Sequence, residues 1–217
     1  MAARIALPNG ATFQIATTFG PEGPITAVSN AKPGVAEAAN TLANGDFVLL
    51  QSSWGKLDGR ASRVSAASAD SFALENIDTT NENFYSPDGG QGSYVKVATW
   101  SEITKITGVS ATGGEQQFLT TGYLAEDDDR QFPTNRNPMS MALTVEDQPT
   151  APYVEVVEGF SDNKIQTVLR LNLPNGDKII YPGYVSITET PTLERNALMT
   201  RTVTFSLSGR STRYLAA

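Results

Sequence analysis

The chain has 217 residues, a formal net charge of −7 and 40% hydrophobic residues. That length and composition suit one all-β domain, or one domain with a modest insertion, and an acidic surface argues against tight nucleic-acid binding because it repels phosphate. With no cysteine there is no disulfide or thiolate chemistry; with no histidine there is no Ser-His-Asp or Cys-His catalysis and no His-rich zinc site.

No run of about 18 apolar residues is present, so no membrane span is expected. Residues 1–10 lack a charged-then-apolar pattern, so no signal peptide is expected. Residues 11–18 alternate with Phe13 and Ile15 on one face, and read as a first strand. Gly20-Pro21-Glu22-Gly23-Pro24 then suggests a break in the chain, and Ser86-Pro87-Asp88-Gly89-Gly90-Gln91-Gly92 suggests another. The stretch between them, 24–92, reads as an inserted small β-barrel module. The flanking parts, 1–23 and 93–217, then form one discontinuous β domain.

Inside 24–92, short strands are expected at 25–28, 46–51, 61–66, 71–74 and 83–85, with turns at Asn44-Gly45 and Asp58-Gly59. Residues 35–43 are Ala-rich but follow Pro33-Gly34, and read as a loop. Beyond the insert, strands are expected at 94–100, 102–109, 116–124 and 139–145, with a turn at Gly113-Gly114. The acidic run Glu126-Asp127-Asp128-Asp129 and the stretch 133–138 look like one long polar connection, either an exposed loop or a partner-binding arm.

After Pro149-Thr150, Tyr153, Val156, Val157 and Phe160 recur at i, i+3, i+4 and i+7, which predicts a helix with an apolar stripe for packing on a sheet. Asp147 or Thr150 is the expected N-cap. In the strand that follows, Thr167, Leu169, Leu171 and Leu173 alternate with Val168, Arg170 and Asn172. Pro174-Asn175-Gly176-Asp177 reads as a hairpin with a type I′ turn. The last strand alternates most cleanly. Met199, Arg201, Val203, Phe205 and Leu207 face one way, and Thr200, Thr202, Thr204 and Ser206 face the other.

This order of elements resembles the major tail tube protein of long-tailed phages of the lambda type. The likeness rests on the helix, the strand ending in Leu-Pro-Asn-Gly (173–176), Tyr-Pro-Gly-Tyr-Val (181–185), Thr-Arg-Thr-Val-Thr (200–204) before Ser-Gly-Arg (208–210), and the acidic loop between two strands. The insert is similar to a small β module of other phage tail proteins, itself related to a non-reactive β domain of ubiquitin-activating enzymes. That likeness is carried by 26–33, Asn44-Gly45-Asp46-Phe47-Val48 and 72–78.

The resemblance implies a mostly β fold, a sandwich or open barrel with one flanking helix. It implies no enzyme activity and no cofactor or metal. It implies homohexameric rings stacked into a tube, located in the virion and assembled in the host cytoplasm. The expected partners are other copies, the tape measure and tail terminator proteins, and DNA only in transit.

Residues 193–217 carry Arg195, Arg201, Arg210 and Arg213 against Glu194, while 115–129 carry five acids and no base. A contact between rings is therefore expected from Glu126, Asp127, Asp128 and Asp129 to Arg195, Arg210 and Arg213 of a neighbour. The hydroxyl row Thr200, Thr202, Thr204, Ser206 is expected to form lumen wall or an inter-subunit sheet. Trp54, Trp100, Tyr181 and Tyr184 read as packing residues. Consecutive aspartates lack the alternating ligand spacing of a calcium loop, and nothing places two carboxylates across a cleft as a glycosidase requires. A receptor- or carbohydrate-binding tail protein is the alternative, resting on the insert.

Overall fold

The computed structural model describes residues 9–125 and 127–216, so Glu126 lies outside the described residues. The fold is mostly β, with one helix among the described residues. Its sheet runs in the order β2-β3-β6-β5-β4-β7-β1-β12-β13-β14-β11-β8. In chain order these are β1 (Thr12–Ile25), β2 (Ala27–Val28), β3 (Gly34–Glu37), β4 (Phe47–Ser52), β5 (Ala61–Ser65), β6 (Ser71–Leu74), β7 (Gly92–Ile103) and β8 (Ile106–Thr112). The second half supplies β11 (Ser140–Glu146), β12 (Thr167–Asn172), β13 (Lys178–Ile187), β14 (Thr200–Leu207) and β15 (Thr212–Tyr214), which pairs with β13 off the main path. A separate two-stranded sheet joins β9 (Gln116–Thr121) to β10 (Arg130–Arg136).

The sheet is open, and the insert does not close into a barrel. Its strand β4 pairs with β7 (Val48↔Lys96 to Ser52↔Gly92), which extends the main sheet. Ile25, Val28, Ala36, Leu50, Val64, Phe72 and Leu74 share one core with the buried Trp54. The insert strands therefore curl around a core of their own while remaining part of one sheet.

The expected break at Gly20–Pro24 is absent, because β1 runs through it along β7 with register shifts between Ala16 and Glu22. In that stretch β1 pairs only with β7; its other neighbour, β12, pairs with Thr12 to Ile15 alone. Proline is tolerated there because bulges and a one-sided ladder leave room for a missing N–H. Of residues 35–43, expected as loop, 35–37 belong to β3, while 83–85, expected as strand, form a turn and bend.

The helix α1 (Pro152–Asn163) forms where its apolar spacing predicts. Its N-cap is Ala151 with no side-chain cap, and proline sits in the first turn, whose missing N–H costs nothing there. Asp147 lies instead 4.0 Å from Arg201. Tyr153, Val154 and Val157 are buried, and Val156 and Phe160 pack at the margin. They meet Leu143, Leu169, Val185, Val203 and Phe205 on one face of the sheet. Arg201, on the apolar side of β14, sits at the edge of this core. It donates to the Thr188 carbonyl at 2.8 Å and to Glu158 at 3.3 Å.

The hairpin between β12 and β13 has a different turn from the expected type I′. Of its residues only Gly176 has positive φ (89°), whereas type I′ would need Asn175 positive too. Gly176 N–H donates to Leu173 C=O and Leu173 N–H to Asp177 C=O, both at 2.9 Å. Pro174 holds φ near −65°, which sets an ordinary turn followed by a glycine bulge.

Candidate functional site

Cross-strand partners share a face, so the register extends the hydroxyl row of β14 over four strands. Thr202, Thr204 and Ser206 stand beside Thr144, Ala142 and Ser140 of β11. These stand beside Gly108, Ser110 and Thr112 of β8. On the other flank, Ser186 and Tyr184 of β13 face Thr204 and Ser206. The wall lies opposite the helix and is half or fully exposed. Its charged member is Glu146 at one end, 3.7 Å from Lys105. Tyr184, expected to pack, is 47% exposed on this wall, because its neighbours are small hydroxyls that cannot cover a ring. Tyr181, three residues earlier and so on the opposite face, is buried as expected in the core under the helix.

The stretch 130–136, part of the connection expected as either an exposed loop or a partner-binding arm, is strand β10, and its pairing with β9 makes the connection a projecting arm. Leu119 pairs with Phe132 and Phe118 with Pro133, so both faces of the arm carry exposed apolar side chains. The arm leaves the end of the sheet where Thr112, Ser140 and Ser206 are aligned. At its foot Gly114 N–H donates to Asn137 C=O at 3.2 Å, and Arg136 Nε to Gln116 at 3.2 Å. Gly113 is required there, with φ of 82° and a backbone so close to Pro138 that a Cβ would overlap its carbonyl. Asp127, Asp128 and Asp129 are exposed at the tip.

The arginines expected to answer this tip are not brought together. Arg195 lies between β13 and β14, at the opposite end of the sheet from the arm. Arg213 is held by Asp177 of its own chain, through Nε at 3.0 Å. The Asp177 carboxyl, bonded by the Ala216 N–H and then by Arg213, is held below the usual carboxylate range. Arg210 alone lies near the arm's foot, where it lines an open cavity of about 780 Å³ with Lys56, Arg60, Arg136, Asp58 and Tyr85.

Arg60 Nη2 donates to Thr212 at 3.2 Å, and its Nε is buried without a partner among the described residues. Burial pushes the Arg60 pKa down, against opposing effects of Tyr85 and Tyr214, and Arg210 adds to the lowering. Lys56 and Arg60 share one turn of the 24–92 stretch while Arg136 and Arg210 come from distant segments, so sequence spacing gave no sign of this cluster. Its one sequence-level trace is the excess of bases late in the chain.

An open sheet with one face sealed by a helix, one face left as a neutral polar wall, and a projecting arm define a structural β protein. The chain belongs to the phage tail tube protein family, whose model matches residues 52–216. It is thereby a structural protein of the virion tail, built to assemble with copies of itself and with other tail proteins. The match begins inside the 24–92 stretch. Among solved structures, the chain is similar to the anti-feeding prophage tube-terminating cap at 18% identity and a TM-score of 0.38, covering 54% of this chain and 83% of that one. No curated protein matches the chain.

Proposed function

We infer that the chain is the protomer of the tube itself, closing into hexameric rings that stack around a channel for DNA. The observation that supports this most directly is the uncovered neutral wall. A surface along which DNA slides must offer few cations, because each phosphate–cation contact releases counterions and holds the duplex in place. A row of Ser and Thr with a single carboxylate at its margin meets that demand. Strand β8 ends the sheet beside this wall and offers an edge to an adjacent copy, so that walls join around the lumen.

Stacking uses the opposite ends of the sheet. The arm end of one ring meets the 188–199 loop of the next, which exposes Leu193, Leu198 and Met199 beside Arg195. A contact between two different patches repeats without closing and gives a filament. Tape measure and terminator proteins are the further partners in this reading, with assembly in the host cytoplasm and the insert forming a discrete module on the tube. Cryo-electron microscopy of the assembled protein tests it: tubes with Thr202 and Thr204 on the lumen are expected. Compact oligomers with this row outside would overturn it. Thr204→Arg should leave the fold intact while slowing DNA ejection.

A further inference from the structure

The cavity at the arm's foot gathers four cations, of which Lys56 lies over the Phe84 ring at 2.9 Å and Arg136 donates to Gln116 at 3.2 Å. Lys56, Arg60, Arg136 and Arg210 line it, and none has a carboxylate within ion-pair distance among the described residues. Asp58, also on its wall, instead accepts from the Ser52 N–H at 3.0 Å. Arg60 is fixed by Thr212, while Arg210 beside it is exposed. Like charges gathered on one wall repel one another, and an anion entering the cavity relieves that repulsion.

We propose that the cavity is the socket for the acidic tip of a neighbouring copy's arm, an inference that rests on the self-assembly read above. Asp127, Asp128 and Asp129 are three consecutive exposed carboxylates, followed by Arg130, which stacks over Tyr123. A copy cannot fill its own socket. Its strand β9 has six residues from Gln116 to Thr121, and their five steps put the tip about 17 Å from its own foot at a strand's rise per residue. Plug and socket leave the same end of the sheet, so docking relates copies that lie side by side. The contact therefore closes a ring, and Arg195, at the other end of the sheet, is left for stacking. Two of the four cations, Lys56 and Arg60, come from the 24–92 stretch, which gives that stretch a part in ring closure.

The absence of native cysteine makes a cross-linking test clean. A chain carrying Asp128→Cys and Ser211→Cys, oxidised after assembly, should give a ladder of trimers and larger species on a denaturing gel. Either substitution alone should stop at dimers. Wild-type tubes by electron microscopy with no ladder from the double variant would overturn the socket and leave the tube reading standing. Wild-type protein that never assembles would overturn the tube reading.

Charge reversal gives a second readout. K56E/R210E and D127K/D128K/D129K should each lose assembly, and the two combined should restore it. K56Q/R210Q, the milder variant, should weaken assembly by about tenfold or more. Folded K56E/R210E protein that assembles as wild type would overturn the proposal. So would wild-type assembly by that variant together with lost binding of a short DNA duplex, since the cavity would then be a phosphate site.

Discussion

Replacing Arg201 by methionine tests whether this arginine fastens the helix to the sheet within one chain. The side chain is 10% exposed and donates to the Thr188 carbonyl at 2.8 Å and to Glu158 at 3.3 Å. A hydrogen bond involving a charged group contributes about 1.5–3 kcal/mol, and the Thr188 carbonyl has no charge to lose. The Glu158 side chain is 50% exposed, so that pair adds about 0–1 kcal/mol after screening. Methionine recovers about 1 kcal/mol by burying its stem against Val203 and the helix. The net loss for Arg201→Met is then about 2 kcal/mol. For a chain of this length that corresponds to a drop in Tm of about 4–8 °C.

Urea denaturation of the unassembled protein, followed by circular dichroism, measures the effect. A cycle with Glu158→Gln should show a coupling of about 0.5 kcal/mol. If Arg201→Met unfolds within about 0.5 kcal/mol of wild type but fails to assemble, the arginine serves a neighbouring copy and not the helix of its own chain.

Tyr153 is buried with no partner for its hydroxyl among the described residues. Tyr153→Phe should therefore raise stability by about 1 kcal/mol, and a loss of that size in the same urea assay would reveal a partner for the hydroxyl. Gly113→Ala places a Cβ on the Pro138 carbonyl at positive φ, so a loss of about 2–3 kcal/mol, with altered NMR shifts through the arm, is expected.

Asp177 is stabilised in its ionised form, and its folded pKa lies below the ordinary value. Its contribution is thus complete above the unfolded pKa of about 3.9 and is lost as pH falls through the lower folded value. Asp177→Asn should be less stable than wild type at pH 7, with the gap closing in acid. A gap independent of pH would show that the ionised form is not what matters.

Where local pattern and tertiary environment agree, the structure was legible in advance. Val203 and Phe205 against Thr202 and Thr204 announce a two-faced strand, and burial against the helix enforces it. Tyr153, Val156, Val157 and Phe160 announce a helix stripe for the same reason. The reading failed where partners override local signals. Pro21 and Pro24 look like breakers, yet β7 supplies a ladder on one side and tolerates them. The arm's second strand contains Pro133 and no buried face, so neither composition nor periodicity marks it.

Charge was legible as totals but not as places. Four arginines close in sequence end up in the core edge, on a hairpin carboxylate, in a loop and in a cavity, because β14 separates Arg195 from Arg210 by the length of the sheet. No one-dimensional count contains that distance.

The arm is an outgrowth of the hairpin made by β8 and β11, and this decides how it bears force. A pull on its tip draws both strands the same way along their axes, so the ladder between them is not sheared. The load falls instead on the seven residue pairs from Ser140↔Ser206 to Glu146↔Thr200. Hydrogen bonds perpendicular to a pull are strained together rather than one at a time. A pull on the arm would therefore tug on an anchorage that gives way as a whole or not at all, with β11 and β14 forming the anchor.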